Sequence, residues 1–442
     1  MISHIFCLVY SHVQRLTQPV ATEKLFFKTF TIKMAAKFSG QPGANMQQLR
    51  LLIATEFPPN ASGGGPAVVR QMLKDWPMEN LFWWSCLPDV PDRFGRRVQK
   101  HACVAIPWKC YPRKKWTSLK SAFLEHLWTP YAARHLRRTL QKLQPDVVWV
   151  IPHDWSIPPL AKALAGKWPR YHVTVQDYVD VHDNPQRFGF DRCQRMAAMA
   201  DRLYADAATR DATSHPMIAD LRACTGADAA QMLHAGLEAE DFEYLTQKSS
   251  RPANTIQIGY AGTVLVEEVF ELFVSALASV RSTLPKRVEL HLFGSHSYAG
   301  RRWFNREWMV ENGNLREPEL LARLRECDWA FAPMALTDDD PRYNRFSFPT
   351  KFITYLAAGL PVITLGHPES SVMKMAAQYD VGLTTSANDS SKLNEQLRAA
   401  LNDPSPWNSH GKEIVRCARV EFDAERMRRT LHDCFQKCAA KG

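Results

Sequence analysis

The sequence has no long apolar run, and this argues against a membrane-spanning helix. No stretch of about 18 consecutive apolar residues occurs in its 442 residues, and the mean hydropathy is -0.31. The sequence also lacks the composition of a disordered chain, because 45% of its residues are hydrophobic and 11% are aromatic, enough to bury a large core. We therefore expect a globular protein of two or three domains.

The sequence has no pair of Cys-x-x-Cys motifs, so its ten cysteines do not indicate a zinc site. Their scatter over so long a chain is also unlike the disulfide framework of a small secreted protein. Cys434 and Cys438 are four residues apart, the spacing of neighbours on one helix face, and we interpret them as a helical pair. We expect a reducing, cytoplasmic compartment.

Residues 1–48 have no basic start leading into an apolar core, so they lack the pattern of a secretory signal. Met34 and Met46 lie shortly before the first strong strand. We expect these residues to be a disordered N-terminal extension or the product of a mis-assigned start.

After residue 48, short apolar runs alternate with amphipathic stretches, which is the pattern of an α/β protein. The alternation stops at 248–254, a polar segment with Pro252 that indicates a linker, and then restarts. We expect two Rossmann-like, doubly wound domains facing each other across a cleft, over 49–247 and 255–415, with a C-terminal helix in 416–442. The predicted strands are 49–54, 146–151, 172–175, 255–260, 288–293, 329–332 and 361–365, and the predicted helices include 118–143, 350–358 and 422–438.

Three consecutive glycines, Gly63, Gly64 and Gly65, follow the first predicted strand. Glycines let the backbone pass close to a ligand, and the N–H groups of the helix that follows attract anions. The motif is not a P-loop, because no Gly-Lys-Ser/Thr follows. A flexible turn is the alternative interpretation.

A second anion-binding pattern lies at the start of the predicted helix 350–358. Thr350 and Lys351 offer the unpaired N–H groups of a first helical turn, and Arg342 and Arg345 are close in sequence. Such groups can hold a diphosphate, with roughly 1.5–3 kcal/mol from each charge-assisted contact. A surface helix with solvated cations is the alternative.

Together these passages resemble the family 4 glycosyltransferases of the GT-B fold, also called glycosyl transferases group 1. The loop from Phe57 to Gly65 is similar to the family's N-terminal acceptor and phosphate loop. The passage Phe348-Pro349-Thr350-Lys351, continuing to Ile363, is similar to its donor-binding motif. The resemblance runs in order from about residue 49 to residue 365.

The resemblance implies a retaining, hexosyltransferase-type enzyme. A nucleotide-sugar donor would bind to 255–415, and a polysaccharide, lipid-linked or other glycan acceptor would bind to 49–247, as in the biosynthesis of cell-envelope polysaccharides. The nucleotide sugar is a substrate, and no cofactor or metal is expected. The acidic run Asp338-Asp339-Asp340 is more simply interpreted as a solvated loop than as a metal site.

The chain departs from the family in its donor motif. The family's Glu-x7-Glu positions fall on Phe346 and Thr354, and its Arg and Lys fall near Thr263 and Glu268. The phosphate charge would then rest on Arg342, Arg345 and Lys351. The expected donor-binding residues are Gly262, Thr263, Arg342, Arg345, Thr350, Lys351 and Thr354.

The family's active-site His aligns near Gln176, with Asp177 next to it. His153-Asp154, at a strand end, and His182-Asp183 are candidate replacements. Retaining transfer needs an acceptor hydroxyl held on the leaving-group face, and a carboxylate or imidazole can orient it by hydrogen bonding. The expected catalytic residues are His153, Asp154, Gln176 and Asp177.

The net charge of +10 is concentrated in residues 91–142, which contain thirteen Lys/Arg and two acids. Arg134, Arg137, Arg138 and Lys142 have the spacing of one helix face. An anionic membrane fits such a field. Nucleic acid fits it too, but no nucleic-acid reader motif is present, and a solvated helix face is the third interpretation. We favour peripheral association with the inner face of the cytoplasmic membrane.

Two other functions are compatible with the sequence. The first is a catalytically impaired relative that binds a nucleotide sugar or a glycan without turnover. The second is a GT-B nucleotide-sugar epimerase, which would release free nucleotide sugar and ignore acceptors.

Overall fold

A computed structural model describes residues 49–61, 63–89, 98–107, 117–179, 190–248, 254–339 and 341–441. The predicted extension 1–48, Pro252 of the predicted linker, and His182-Asp183 lie outside these residues. Most cations of the stretch 91–115 lie outside them too.

Two six-stranded parallel sheets organise the described residues, and the strand order of the first is β3-β2-β1-β4-β5-β6. Half of its strands are buried throughout and mainly apolar, as expected when helices cover both faces of a parallel sheet. The strands are β1 (Leu51–Thr55), β2 (Leu81–Ser85), β3 (Lys100–Cys103), β4 (Val147–Ile151), β5 (Tyr171–Val175) and β6 (Thr209–Ala212).

The second sheet repeats this topology in the order β12-β11-β10-β7-β8-β9. Both orders are doubly wound, with the reversal beside the first strand of each sheet, where such folds bind ligands. The predicted fold class is therefore confirmed. The strands are β7 (Thr255–Ala261), β8 (Arg287–Phe293), β9 (Met309–Glu311), β10 (Trp329–Pro333), β11 (Val362–Leu365) and β12 (Thr384–Thr385).

The helices cover the faces of both sheets. The predicted helix 118–143 is interrupted by a π-helical turn, Leu124–Trp128, which separates α2 from α3. The helices are α1 (Gly64–Met72), α2 (Thr117–Phe123), α3 (Thr129–Leu143), α4 (Ile157–Leu164), α5 (Phe190–Asp206), α6 (His215–Thr225), α7 (Ala239–Gln247), α8 (Glu267–Arg281), α9 (Glu317–Leu324), α10 (Pro341–Phe346), α11 (Thr350–Ala357), α12 (Ser371–Tyr379), α13 (Ser390–Leu401), α14 (Pro406–Glu421) and α15 (Ala424–Ala439). In the described part of the chain, no helix has the length and apolar character needed to cross a bilayer.

The last helix, α15, returns from the second sheet to pack on the first. Phe435 is fully buried there, with its ring 5.5 Å from that of Trp149 on β4 and 5.8 Å from that of Trp76. Arg428 of the same helix pairs with Glu238 at 2.6 Å. The end of the chain therefore forms part of the core of the first half.

Phe435→Ala should remove about 3–5 kcal/mol from the free energy of unfolding, because it leaves a cavity between α15 and β4. Lys437→Ala, at an exposed position of the same helix, should change it by less than about 0.5 kcal/mol. Urea unfolding followed by tryptophan fluorescence measures both. Equal midpoints for the two variants would contradict the packing of α15.

Candidate active site

The predicted glycine loop and the predicted donor helix meet in the structure. Gly63 is the N-cap of α1, and Gly64 begins that helix. A Cβ at Gly64 would lie 2.5 Å from Oγ1 of Thr350, the first residue of α11, so a side chain there would collide with α11. The loop after β1 therefore touches a helix start in the second half, and the carboxyl ends of both sheets face the same space.

Gln176, directly after β5, joins this contact. Its Nε2 donates to the carbonyl oxygen of Gly65 at 3.2 Å. A predicted catalytic residue and the predicted glycine loop are thereby brought together, although they are 111 positions apart in the chain.

The start of α11 has no side-chain cap among the described residues, and Pro349 is its N-cap. The first N–H groups of a helix have no intrahelical partner and carry the positive end of the helix dipole. Thr354, one turn later, donates its hydroxyl to the Thr350 carbonyl at 3.4 Å.

Lys351 places a sheltered cation beside this helix start. Its Nζ donates to the hydroxyl of Tyr260 at 2.8 Å and lies 4.3 Å from the centroid of that ring. Burial lowers the pKa of Lys351 to about 8. Among the described residues, no carboxylate lies within 4.0 Å of its ammonium group. Lys351 is thus a partly desolvated cation with no counter-charge among the described residues.

The predicted residues Gly262 and Thr263 lie beside Lys351. Gly262 has a φ of +98°, a conformation that favours glycine, and its missing Cβ would lie 3.8 Å from Lys351 Nζ. Thr263 Oγ1 is 3.3 Å from Nδ1 of His296. A cavity of about 800 Å³ continues from there along the loops after β8 and β9, lined by Gly294, His296, Tyr298, Glu311, Asn314 and Arg316, among other residues.

The two predicted arginines are engaged by carboxylates. Arg342 pairs with Asp201 on α5 at 3.0 Å and with Asp220 on α6 at 2.9 Å, and its guanidinium lies 4.1 Å from the centroid of the Tyr178 ring. It therefore ties the second half of the chain to the first. Arg345 forms hydrogen bonds with Asp338. Of the three predicted donor cations, Lys351 is the one without a described carboxylate partner.

His153, after β4, is paired with a residue that the sequence did not single out. Its Nδ1 lies 2.9 Å from Oε2 of Glu56, which directly follows β1. Desolvation opposes the charged imidazole, but the Glu56 hydrogen bond and the charges of Asp154 and Asp177 together raise the pKa of His153 to about 10. The Glu56 contact therefore favours the imidazolium form of His153.

Two aspartates complete this group. Desolvation in the cleft raises the pKa of Asp177, and the charge of His153 opposes the shift. Asp154 has a φ of +37°, a left-handed conformation that is uncommon for residues other than glycine and is often found at functional sites.

Glu56, His153 and Asp154 place possible ligand atoms within 4.8 Å of one another. A metal binds imidazole only after the proton has left. The Glu56 contact favours the protonated form of His153, so the group is better suited to hydrogen bonding than to metal binding.

No protein-family profile matches the chain, and no curated protein matches its sequence. Solved structures do match its fold. Sucrose-phosphate synthase from Thermosynechococcus elongatus has a TM-score of 0.64 at 16% identity, over 89% of this chain and 99% of that one. HepE of Anabaena, solved with UDP and glucose, has a TM-score of 0.58 at 14% identity, over 87% of this chain and 98% of that one. WaaG, a glycosyltransferase of lipopolysaccharide biosynthesis, has a TM-score of 0.55 at 14% identity, over 87% of this chain and 98% of that one. The chain has the GT-B fold.

Glu56→Gln should lower the pKa of His153 by about 1–3 units, because the amide keeps the shape of the side chain but removes the charge that favours the imidazolium. NMR titration of the His153 ring measures this, with a midpoint near 10 expected in the parent protein. Glu79→Gln, at an exposed position of the same half, is the matched control. An unchanged midpoint in Glu56→Gln would mean that the Glu56 contact does not hold the proton.

Proposed function

We propose that this protein is a retaining, hexosyltransferase-type glycosyltransferase that moves a sugar from a nucleotide-sugar donor to a polysaccharide, lipid-linked or other glycan acceptor. One observation carries the proposal. Lys351, a sheltered cation without a described counter-charge, lies at the uncapped start of α11, where the Gly64 loop approaches from the other half of a GT-B fold.

The donor's diphosphate would lie at the start of α11. The N–H groups of Thr350 and Lys351 and the Lys351 ammonium would stabilise the charge that grows on the leaving group, as preorganised donors do in other transfer reactions. The cavity next to Thr263 has room for the nucleoside. HepE, solved with UDP and glucose, has the same fold, which supports this class of donor. No cofactor or metal is part of the proposal.

The acceptor would bind on the first half, against His153, Asp154, Gln176 and Asp177. Retention requires the acceptor hydroxyl to approach on the side of the leaving group, so it must be held between these residues and the diphosphate. The imidazolium of His153 can donate to an acceptor oxygen, and Asp177 can accept from the hydroxyl. Glu56 fixes the orientation of His153 through their hydrogen bond.

A non-catalytic sugar-nucleotide or glycan-binding protein is the second candidate function. It is favoured by the use of Arg342 and Arg345 in contacts with Asp201, Asp220 and Asp338, which leaves fewer cations for the leaving group. Such a protein would bind a nucleoside diphosphate without turnover. An epimerase would instead release free nucleotide sugar with no acceptor present.

The surface of α2 and α3 supports association with an anionic membrane on the cytoplasmic side. Arg134, Arg137, Arg138 and Lys142 are all exposed, and Glu125, the acid of this segment, is neutralised by Arg192 and Arg195. Three large apolar side chains are exposed on the same segment: Leu119 at 63%, Leu127 at 62% and Tyr131 at 60%. Cations attract anionic headgroups, and apolar side chains enter the interface. A lipid-linked acceptor would be reached at such a surface.

Lys351→Ala should weaken nucleoside-diphosphate binding by one to two orders of magnitude, because about 1.5–3 kcal/mol of charge-assisted bonding is lost. The donor is first chosen by thermal shift with a panel of UDP-, GDP- and ADP-sugars, and calorimetry then gives the affinities. Lys392→Ala, at an exposed position of α13, is the control. An unchanged affinity for Lys351→Ala would remove this residue from the site, and no turnover of any donor by the folded protein would favour the second candidate.

Replacing Arg134, Arg137 and Arg138 with Gln should lower binding to vesicles of phosphatidylcholine and phosphatidylglycerol by about a hundredfold, at roughly 1 kcal/mol for each cation. Co-sedimentation at increasing salt measures this. The control replaces Lys392, Arg398 and Lys437, three exposed cations elsewhere. Equal sedimentation of the α3 variant and the parent would reject the membrane surface.

A further inference from the structure

We propose that Tyr260 is a positioning residue of the anion site, whose hydroxyl and ring hold the Lys351 ammonium beside the Gly262–Thr263 turn. The identity of the anion as a donor diphosphate rests on the function proposed above. The role of Tyr260 rests on its own contacts and has its own test.

The hydrogen bonds of the Tyr260 hydroxyl have a defined direction. The hydroxyl donates to the carbonyl oxygen of Thr263 at 2.6 Å. A hydroxyl has a single proton, so its lone pairs remain to accept from Lys351 Nζ, at 2.8 Å. One oxygen atom thus connects the turn after β7 with the start of α11.

The ring of Tyr260 adds a second contact with the same ammonium. Nζ lies 4.3 Å from the ring centroid, within the distance of a cation–π interaction. The ring is 1% exposed, with its centroid 4.9 Å from that of Phe270 and 6.3 Å from that of Phe331. Because the core holds this ring, the ammonium is attached to a rigid surface.

An ammonium group has three N–H donors, and Tyr260 accepts from one of them. Arg342 and Arg345 are already paired with Asp201, Asp220 and Asp338, so Lys351 is the cation of the predicted donor site without a described carboxylate partner. A single cation is most useful when it is already in place before the anion arrives. Tyr260 would supply that preorganisation.

The two contacts also bear on the charge of Lys351. Burial favours the neutral amine and lowers its pKa to about 8. A hydrogen bond accepted from the ammonium favours the charged form. Loss of the Tyr260 hydroxyl should therefore lower the pKa further, and anion binding should fail at a lower pH than in the parent protein.

The test is Tyr260→Phe, which keeps the ring and removes the oxygen. The charge of Lys351 is followed in the ligand-free protein by its rate of acetylation as a function of pH, measured by mass spectrometry. A midpoint near 8 is expected in the parent, and one about half a unit or more lower in the variant. Calorimetry with inorganic pyrophosphate at pH 7 should show affinity about tenfold weaker.

The matched control is Tyr355→Phe, in the same strand–helix junction. The Tyr355 hydroxyl is buried and accepts from the backbone N–H of Ala261 at 2.9 Å. This variant should be less stable than the parent protein, but the pH midpoint of Lys351 acetylation should be unchanged.

The acetylation midpoint decides the inference. A parent-like midpoint in Tyr260→Phe, or the same shift in Tyr355→Phe, would overturn it. A lowered midpoint with weaker pyrophosphate binding would support it, even if the parent protein binds no nucleotide sugar. Failure of the parent protein to bind any nucleotide sugar would contradict the proposed function alone.

Discussion

The candidate site depends on one charge, the ammonium of Lys351, which is held in a partly desolvated position without a described carboxylate near it. Taking a cation out of water is costly unless an opposite charge or several hydrogen bonds compensate. In this structure a phenol oxygen and an aromatic ring give partial compensation. Because this compensation is partial, we infer that the Lys351 ammonium binds an anion. The uncapped start of α11 provides backbone donors for the same ligand.

Contacts from the first half of the chain hold the segment before α11 in place. Ser214 of the first half donates to the carbonyl of Phe346 at 2.7 Å. His234 donates through Nε2 to the carbonyl of Phe348 at 3.0 Å, since its Nδ1 accepts from the N–H of Ala235. Burial lowers the pKa of His234 to about 4, so it stays neutral and keeps this pattern at physiological pH. Arg342 adds ion pairs with α5 and α6. The start of α11 is therefore fixed relative to the glycine loop.

The sequence predicts the strands that are continuous apolar runs between turn residues, such as β1 and β4, because fully buried parallel strands have that composition. β3 contains Lys100 and His101 and has no apolar run, so nothing in the sequence marks it as a strand. For the candidate site, the sequence indicates the part that a single segment carries, as at Thr350 and Lys351. Glu56 lies in a segment that the resemblance covers, but its contact with His153 joins residues 97 positions apart. The partners of Arg342 also depend on the tertiary fold, so only the structure shows that its charge is already engaged.

The most direct test of the central claim is a crystal structure of the protein with the nucleoside diphosphate that its best donor releases. We expect phosphate oxygens within hydrogen-bonding distance of Lys351 Nζ and of the N–H groups of Thr350 and Lys351, with the nucleoside in the cavity beside His296. A nucleotide bound elsewhere, with the start of α11 in contact only with solvent and Lys351 still bonded to Tyr260 alone, would contradict the account.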